Sequence, residues 1–352
     1  MIIDERKIGP GHPPYIIAEV SCNHAGSLKC ALELISAASD FGADAVKFQC
    51  VTADTITIDC DRPEFIIKDG PWKGRNLYQL YKQTETPFSW FPEIKRQADR
   101  VGITWLASVF DKTAVDLMVF LDAPAIKIAS FEIVDIPLIR YAAATKKPLI
   151  ISTGMASYEE VWDATRDLDM DNLALLHCVS GYPTPPSQAN LHRMNGLGSM
   201  FSSVRYQVAG ISDHGGPEIP IAATALGASI IEKHFRLLSH PDTEDSPFSL
   251  DQWQFADMAR LVRNTWEAMR VTKSTAEDAH RPLRRSLFAV ADIKQGEAFR
   301  AEDDLVTKAN VRSIRPGHGL PPVEINKIAG KTATRDISRG EPMAWDMVNG
   351  EV

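Results

Sequence analysis

Short apolar runs recur along the first three quarters of the chain, each followed by a longer stretch with helical spacing. Tyr15–Val20, Asp44–Gln49, Ile103–Ser108, Ala125–Ser130, Pro148–Ser152, Leu173–Cys178, Val208–Ile211 and Ser229–Ile231 read as strands. They are nearly all apolar rather than alternating, which is the pattern of strands buried on both faces of a parallel sheet. Between them, Leu28–Phe41, a segment ending at Arg100, Lys112–Leu121, Pro137–Thr145, Tyr158–Asp167 and Pro217–Gly227 repeat apolar residues at helical spacing, the first after a Ser27 N-cap. Leu250–Arg270 is a long amphipathic helix after the eighth strand. Eight such units close best as a (β/α)8 TIM barrel. An open doubly wound sheet is the alternative and usually stops near six strands. One interruption, Cys50–Pro87, carries turn residues, Trp72 and a Leu77–Tyr81 segment.

The pattern changes after the barrel. Residues 1–272 form the expected barrel domain, 273–285 a polar linker with a basic cluster at Arg281, Arg284 and Arg285, and 286–352 a small β-rich domain. Within that last part Asp292-Ile293-x-x-Gly296-Glu297 recurs as Asp336-Ile337-x-x-Gly340-Glu341, which predicts two related turns.

Composition narrows the classes. The chain has 352 residues, 44% hydrophobic and 24% charged, as an ordinary globular enzyme has. A net charge of −8 argues against nucleic acid or an anionic membrane as partner. Five cysteines without CxxC spacing suggest neither a disulfide framework nor a zinc knuckle. The N-terminus lacks a signal pattern and no apolar run reaches the roughly 18 residues of a span, so a cytoplasmic protein is expected.

Side chains at the C-terminal strand ends of a barrel converge on one cavity. In order these are Glu19, Lys47 and Gln49, Ser108, Lys127 and Ser130, Ser152 and Thr153, Ser180 and Tyr182, Ser212 and His214, then Glu232 and His234. His214 and His234 sit at matched ends of neighbouring strands, where two imidazoles can share a divalent metal. Two lysines ringed by hydroxyls suit a small ligand with a phosphate and a carboxylate. Alternatively Lys47 and Lys127 pair with Glu19, Glu132 and Glu232, or one of them forms a Schiff base as in a class I aldolase.

Several strings resemble the sialic acid synthases, which condense phosphoenolpyruvate with an amino sugar. They are Ile-Ala-Glu-x-x-x-Asn-His (Ile17–His24), Ala-Val-Lys-Phe-Gln (Ala45–Gln49), Lys-Ile-Ala-Ser-Phe-Glu (Lys127–Glu132), Ile-Ser-Thr-Gly-Met (Ile151–Met155), His-Cys-Val-Ser-Gly-Tyr-Pro-Thr-Pro (His177–Pro185), Ser-Asp-His and Glu-Lys-His-Phe. Arg-Pro-Gly-His-Gly (Arg315–Gly319) resembles part of the family's antifreeze-like (SAF) domain. The Phe65–Trp90 insertion and Glu244–Asp251 look most like the pseudaminic acid branch. The chain departs at Val109, where the family usually has proline before Phe, and at Ser180, where some members carry Asn.

The resemblance implies a nonulosonic acid synthase. N-acetylneuraminate and legionaminate are the alternative products, and a carbohydrate-binding protein on a dead barrel is a further alternative. It implies Mn²⁺, or else Mg²⁺ or Co²⁺, on His214 and His234. Lys47 and Lys127 would hold phosphoenolpyruvate, with Gln49, Ser108, Ser130, Ser152, Ser180, Tyr182, Ser212 and Asp245 as substrate contacts. Glu19, Glu132 and Glu232 are candidates for proton handling. A homodimer is expected in which the SAF domain carries Arg315 to the partner's active site. Other phosphoenolpyruvate aldol synthases, making seven- or eight-carbon sugar acids, lack this C-terminal domain.

Overall fold

The computed structural model describes residues 1–200, 208–270, 275–301 and 309–350. Two compact units divide the chain, Met1–Arg270 and Val271–Val352.

The first unit is a closed barrel of eight parallel strands: β1 (Tyr15–Glu19), β2 (Ala45–Cys50), β3 (Thr104–Val109), β4 (Ile126–Ile128), β5 (Leu149–Ser152), β6 (Leu173–Cys178), β7 (Val208–Asp213) and β8 (Ile230–Arg236). Closure comes from β8, which pairs with both β7 and β1, Ile230 lying opposite Gly210 and Tyr15. A helix follows each strand: α1 (Leu28–Asp40), α2 (Phe91–Val101), α3 (Lys112–Phe120), α4 (Ile136–Ala144), α5 (Tyr158–Thr165), α6 (His192–Met200), α7 (Glu218–Ala225) and α8 (Gln252–Met269). Several helix starts follow from their caps. Ser27 accepts from Cys30 N, Asp111 from Ala114 N, Asp135 from Leu138 N, and Ser157 forms a capping box with Glu160. An N-terminal hairpin, Ile2–Ile3 with Arg6–Lys7, brings Ile3 and Ile8 onto the barrel-floor cluster.

The two-residue period sorts the strands into two cores. Tyr15, Ile17, Ala45, Leu106, Ala125, Ile150, Ala174, Leu176, Val208 and Ile230 fill the barrel floor. The alternate residues, such as Ile16, Val46, Phe48, Ala107, Ile151, Ile231 and Phe235, pack against the helices. Each fully buried aliphatic side chain there contributes about 1.5–3 kcal/mol. Position 210 of β7 admits only glycine, because a Cβ there would stand 2.3 Å from Ile230 O and 2.8 Å from Leu176 Cδ2.

Three local expectations change. The fourth strand stops at Ile128, and Ser130–Val134 turns into a 3-10 helix closed by Asp135 N donating to Glu132 O. The seventh and eighth strands run on to Asp213 and Arg236, past the apolar runs that predict them. There the ladder to neighbours on both sides holds the backbone, so polar side chains do not end the strand. Of the expected linker, Lys273 and Ser274 lie outside the described residues; Thr275–His280 is helical and Arg281–Leu283 a 3-10 turn. The insertion holds two short helices, Ala53–Ile56 and Leu77–Thr84. Among the described residues no helix is long and apolar enough to cross a membrane.

In the second unit β9 (Ser286–Ala289) pairs antiparallel with β10 (Val311–Ile314) over a core of Leu287, Ile293, Phe299, Val311, Ile328, Ile337 and Met343. The sequence echo is a local two-fold. Ile293 and Ile337 exchange both backbone hydrogen bonds at 2.8 Å, Asp336 accepts from Gln295 N, and Asp292 accepts from Arg339 N. Arg315 is exposed on the loop after β10. Ser286 Oγ fastens that loop, donating to Pro316 O and accepting from Gly319 N. Gly319 passes so close to Leu287 O that a Cβ would meet it at 2.2 Å.

Candidate active site

Above the apolar floor the inward positions turn polar. Glu19, Lys47, Ser108, Lys127, Ser152, Ser212, Glu232 and His234 are strand residues, and all are buried. Lys47 lies between two strands: its Nζ is 2.5 Å from Glu19 Oε2, 2.8 Å from Ser108 Oγ and 3.7 Å from Glu232 Oε1. Lys127 donates to Ile128 O at 3.0 Å and stands 3.9 Å from Glu232 Oε1, which also accepts from Ser212 Oγ at 2.9 Å. Gln49 donates to Glu19 at 3.3 Å. The lysines therefore do pair with Glu19 and Glu232, as one reading of the sequence allows, while Glu132 stands apart on its 3-10 turn. Val109 does not displace Ser108, which stays in β3 on Lys47. Ser180 and Ser130 lie 3.2 Å apart, side chain to side chain.

Burial and charge set the protonation states. Burial lowers Lys47, but the Glu19 and Glu232 carboxylates outweigh it and leave its affinity for a proton raised. Lys127 has less compensation, and burial leaves it below the usual lysine value. Burial pushes Glu19 up to about 7, against the pull of Lys47 and with the push of Glu232. Burial also raises Glu132 to about 7. Burial pushes Glu232 up as well, but Lys127, Lys47 and the Ser212 hydroxyl reverse this and hold it below the usual carboxylate value. Asp245 is raised by burial, with Ser21 and Cys22 hydrogen bonds opposing.

His214 and His234 stand with ring centroids 5.3 Å apart. Burial lowers His214 to about 4, and burial followed by the neighbouring His214 takes His234 well below the ordinary value, so both rings are neutral at pH 7. His214 Nδ1 lies 3.0 Å from Val179 O and so carries the proton, which leaves Nε2 as a lone pair. His234 Nδ1 is buried without a hydrogen-bond partner, 3.5 Å from Asp245 Oδ2. Two neutral nitrogens, one of them orphaned, fit a divalent metal that takes its other ligands from substrate and water. Ser152 Oγ and Glu232 Oε2 are also buried and unpartnered. An unpaired buried polar atom costs about 1–3 kcal/mol, which a bound polar ligand would recover.

Aromatic rings close one side. Tyr182 lies 4.2 Å from His214, Phe248 lies 5.0 Å from His234 and 5.1 Å from Tyr182, and Trp72 reaches both Tyr182 and Phe248. Of the insertion's tryptophans only Trp72 reaches this wall; Trp90 packs edge-on against His24. Arg75 ties the insertion to the loop after β8 through Glu244.

Residues that the strand-end pattern does not single out also do structural work here. Asn23 donates to Phe235 O and Ser249 Oγ and accepts from Thr243, holding the loop that bears Asp245 and Phe248. Lys233 and Asp213 point out of the barrel between the two histidine strands, 2.5 Å apart, and Lys233 also donates to Gly215 O. A lysine out of phase with Glu232 and His234, on the face of β8 that otherwise carries Ile231 and Phe235, was the available signal. Arg315 belongs to the second unit and is not among the barrel residues assembled here.

Residues 34–274 match the NeuB family and residues 304–349 the SAF domain. The pseudaminic acid synthase of Campylobacter jejuni is 41% identical over 336 residues, covering 94% of this chain and 95% of that protein. The pseudaminic acid synthase of Helicobacter pylori is 38% identical over 343 residues, covering 95% and 97%. In the crystal structure of the Bacillus subtilis spore coat polysaccharide biosynthesis protein SpsE, 31% identity accompanies a TM-score of 0.63 over 100% of this chain and 99% of that one.

Proposed function

This chain belongs to the NeuB family and ends in a SAF domain, and from that premise we propose that it condenses phosphoenolpyruvate with an N-acetylated amino sugar. The product is a nine-carbon nonulosonic acid, and the preferred sugar is the diacetamido-trideoxy-altrose that leads to pseudaminic acid. The observation that carries this reading is the polar layer itself: two buried lysines together with two buried histidines, with Ser152, Glu232 and His234 each holding an unpaired atom.

Lys47 and Lys127 hold the phosphate and carboxylate, with the Ser108, Ser130, Ser152, Ser180 and Ser212 hydroxyls as donors. An arriving anion competes with Glu19 for Lys47. With its proton affinity near neutrality, Glu19 can then protonate and become an acid. His214 and His234 would hold a divalent metal, Mn²⁺ by preference, which would supply Lewis-acid polarisation of the aldehyde carbonyl of the opened sugar. The electron pair of the phosphoenolpyruvate C2–C3 double bond forms the new C–C bond, and the aldehyde oxygen takes the proton from Glu19. Water adds at C2 and yields its proton to Glu232, which its lysine neighbours keep ionised. The C2–O bond to phosphate then breaks as the C2 hydroxyl passes its proton to the departing phosphate oxygen, which leaves the 2-keto acid and inorganic phosphate, and the proton held by Glu232 restores Glu19 to its acid form. Glu132, also near neutrality, is the second candidate acid.

The aromatic wall supports the sugar choice, because a 6-deoxy sugar presents a methyl group where N-acetylmannosamine presents a hydroxyl. Burying that hydroxyl against Trp72, Tyr182 and Phe248 without a partner costs about 1–3 kcal/mol. Gln49, Tyr182 and Asp245 line the sugar side, and Arg315 of a partner subunit completes it across a homodimer in the cytoplasm. The test supplies phosphoenolpyruvate with a panel of amino sugars and follows phosphate release and product mass. Release of phosphate with formation of the nine-carbon acid from the trideoxy sugar supports the reading. Comparable kcat/KM for N-acetylmannosamine refutes the sugar choice, and no phosphate release with any amino sugar refutes the reaction.

A further inference from the structure

Outside the barrel mouth, one set of side chains brings three metal-binding atoms together. Cys30 Sγ, a Glu33 carboxylate oxygen and a ring nitrogen of His240 all lie within 4.8 Å of one another. Cys30 and Glu33 are three apart on the first turns of α1, which places them on one helix face. His240 comes from the loop after β8, where its backbone N–H bonds Leu237 O and turns the chain back. Its side chain is 6% exposed, its Nε2 lies 2.9 Å from Glu33 Oε2, and its Nδ1 is buried without a hydrogen-bond partner.

We propose that Cys30, Glu33 and His240 form a second divalent-metal site, selective for Zn²⁺ or a similarly soft ion and separate from the His214–His234 pair. The ligand chemistry decides the class of ion. A thiolate and an imidazole favour zinc over the magnesium or manganese that oxygen ligands select. The geometry is within reach. Ligand atoms around one tetrahedral zinc stand about 3.3–3.8 Å apart, given bonds of about 2.0–2.3 Å. Closing the present spread needs a shift of about 1 Å, and Glu33 is exposed enough to supply it. The ion would replace the present Glu33–His240 contact at 2.9 Å and compete with Lys29 at 3.7 Å, an exposed pair that holds the carboxylate weakly. Binding displaces the Cys30 proton, and the thiolate and carboxylate together neutralise the ion. A fourth position remains for water.

The site gives the loop after β8 a further anchor. That segment carries Asp245 and Phe248 and is also fastened to Asn23 through Thr243 and Ser249 and to Arg75 through Glu244. An ion bridging His240 to α1 would pin its opposite end. The ion is thus a structural clip at the barrel rim, and the inference stands whether or not the reaction proposed above is correct.

Co²⁺ is the probe, because only a thiolate ligand gives the ultraviolet sulfur-to-cobalt charge-transfer band. Chelator-treated, reduced full-length protein is titrated with Co²⁺. The band should appear with one equivalent, persist in His214→Ala/His234→Ala, and disappear in Cys30→Ser and His240→Asn. In the His214→Ala/His234→Ala background, Zn²⁺ should raise the Tm, and adding Cys30→Ser should abolish that shift. Absence of the band in the wild type, or its persistence in Cys30→Ser, overturns the proposal.

Discussion

The Asp213–Lys233 pair offers a sharp test of how the histidines are held. Lys233 is fully buried, pairs with Asp213 across adjacent positions of β7 and β8, and also donates to Gly215 O. Asp213 in turn accepts from Gly215 N at 3.1 Å. The pair therefore grips both backbone groups of Gly215, immediately after His214, from outside the barrel. Replacing Lys233 by Met leaves a buried carboxylate without its counter-charge, a loss of about 3–5 kcal/mol. For a domain of this size that lowers the Tm by roughly 6–20 °C. Replacing both residues, as Asp213→Leu/Lys233→Met, removes the stranded charge and should restore most of the stability, because an apolar pair of similar volume is often neutral in such a place. Activity should not return with it. The turn at Gly215 loses both side-chain bonds, and a displacement of about 1 Å at His214 costs on the order of 100-fold in kcat. Urea unfolding of wild type, both single variants and the double variant yields the coupling energy, expected above about 2 kcal/mol. A coupling below about 0.5 kcal/mol, or a stable double variant with full kcat, would refute the reasoning.

Three further outcomes are expected. Burial lowers His24 to about 4, whereas an unfolded histidine titrates near 6.5, so the unfolded chain binds more protons between these values and stability falls as pH drops through that window. The loss approaches about 3 kcal/mol by pH 4. Glu19 and Glu132, raised to about 7, act in the opposite sense, so the measurement is the difference in unfolding free energy between wild type and His24→Gln against pH; a flat difference contradicts the assignment. Chelation should abolish turnover and Mn²⁺ restore it, while His214→Ala and His234→Ala resist rescue; full turnover in excess chelator counts against metal on that pair. Mixing inactive His234→Ala with inactive Arg315→Ala should recover about a quarter of the wild-type rate, because half the dimers are mixed and each rebuilds one of two sites. No recovery in a verified heterodimer means that Arg315 does not act across subunits.

Much of the site was legible because parallel barrels obey a simple rule: the two-residue period sends alternate side chains inward, and only the last inward positions of each strand reach the mouth. Glu19, Lys47, Ser108, Lys127, Ser152 and Ser212 could be placed from strand ends alone. Contacts between distant segments were less accessible. Pairing Lys47 with Glu19 and Glu232 instead of Glu132 depends on the stagger between strands and on the 3-10 turn after β4. Asp245 and Phe248 reach the histidines because Asn23 and Arg75 hold their loop, and those bonds span more than 160 residues of sequence. The resemblance of the Phe65–Trp90 stretch could not show that Trp72 faces the site while Trp90 packs on His24.

The sequence by itself determined the architecture, since apolar runs of strand length separated by capped helices leave few ways to bury both faces of a parallel sheet. It also determined the inventory of the mouth, because charged and hydroxyl side chains at inward strand ends have no other cavity to enter. Only the tertiary structure decided which lysine meets which acid, which rings wall the histidines, and that Lys233 turns outward to Asp213. Those choices rest on distances of a few ångströms between groups far apart in the chain. In a buried, weakly screened interior such distances set proton affinities and pairing, and no local pattern of residues encodes them.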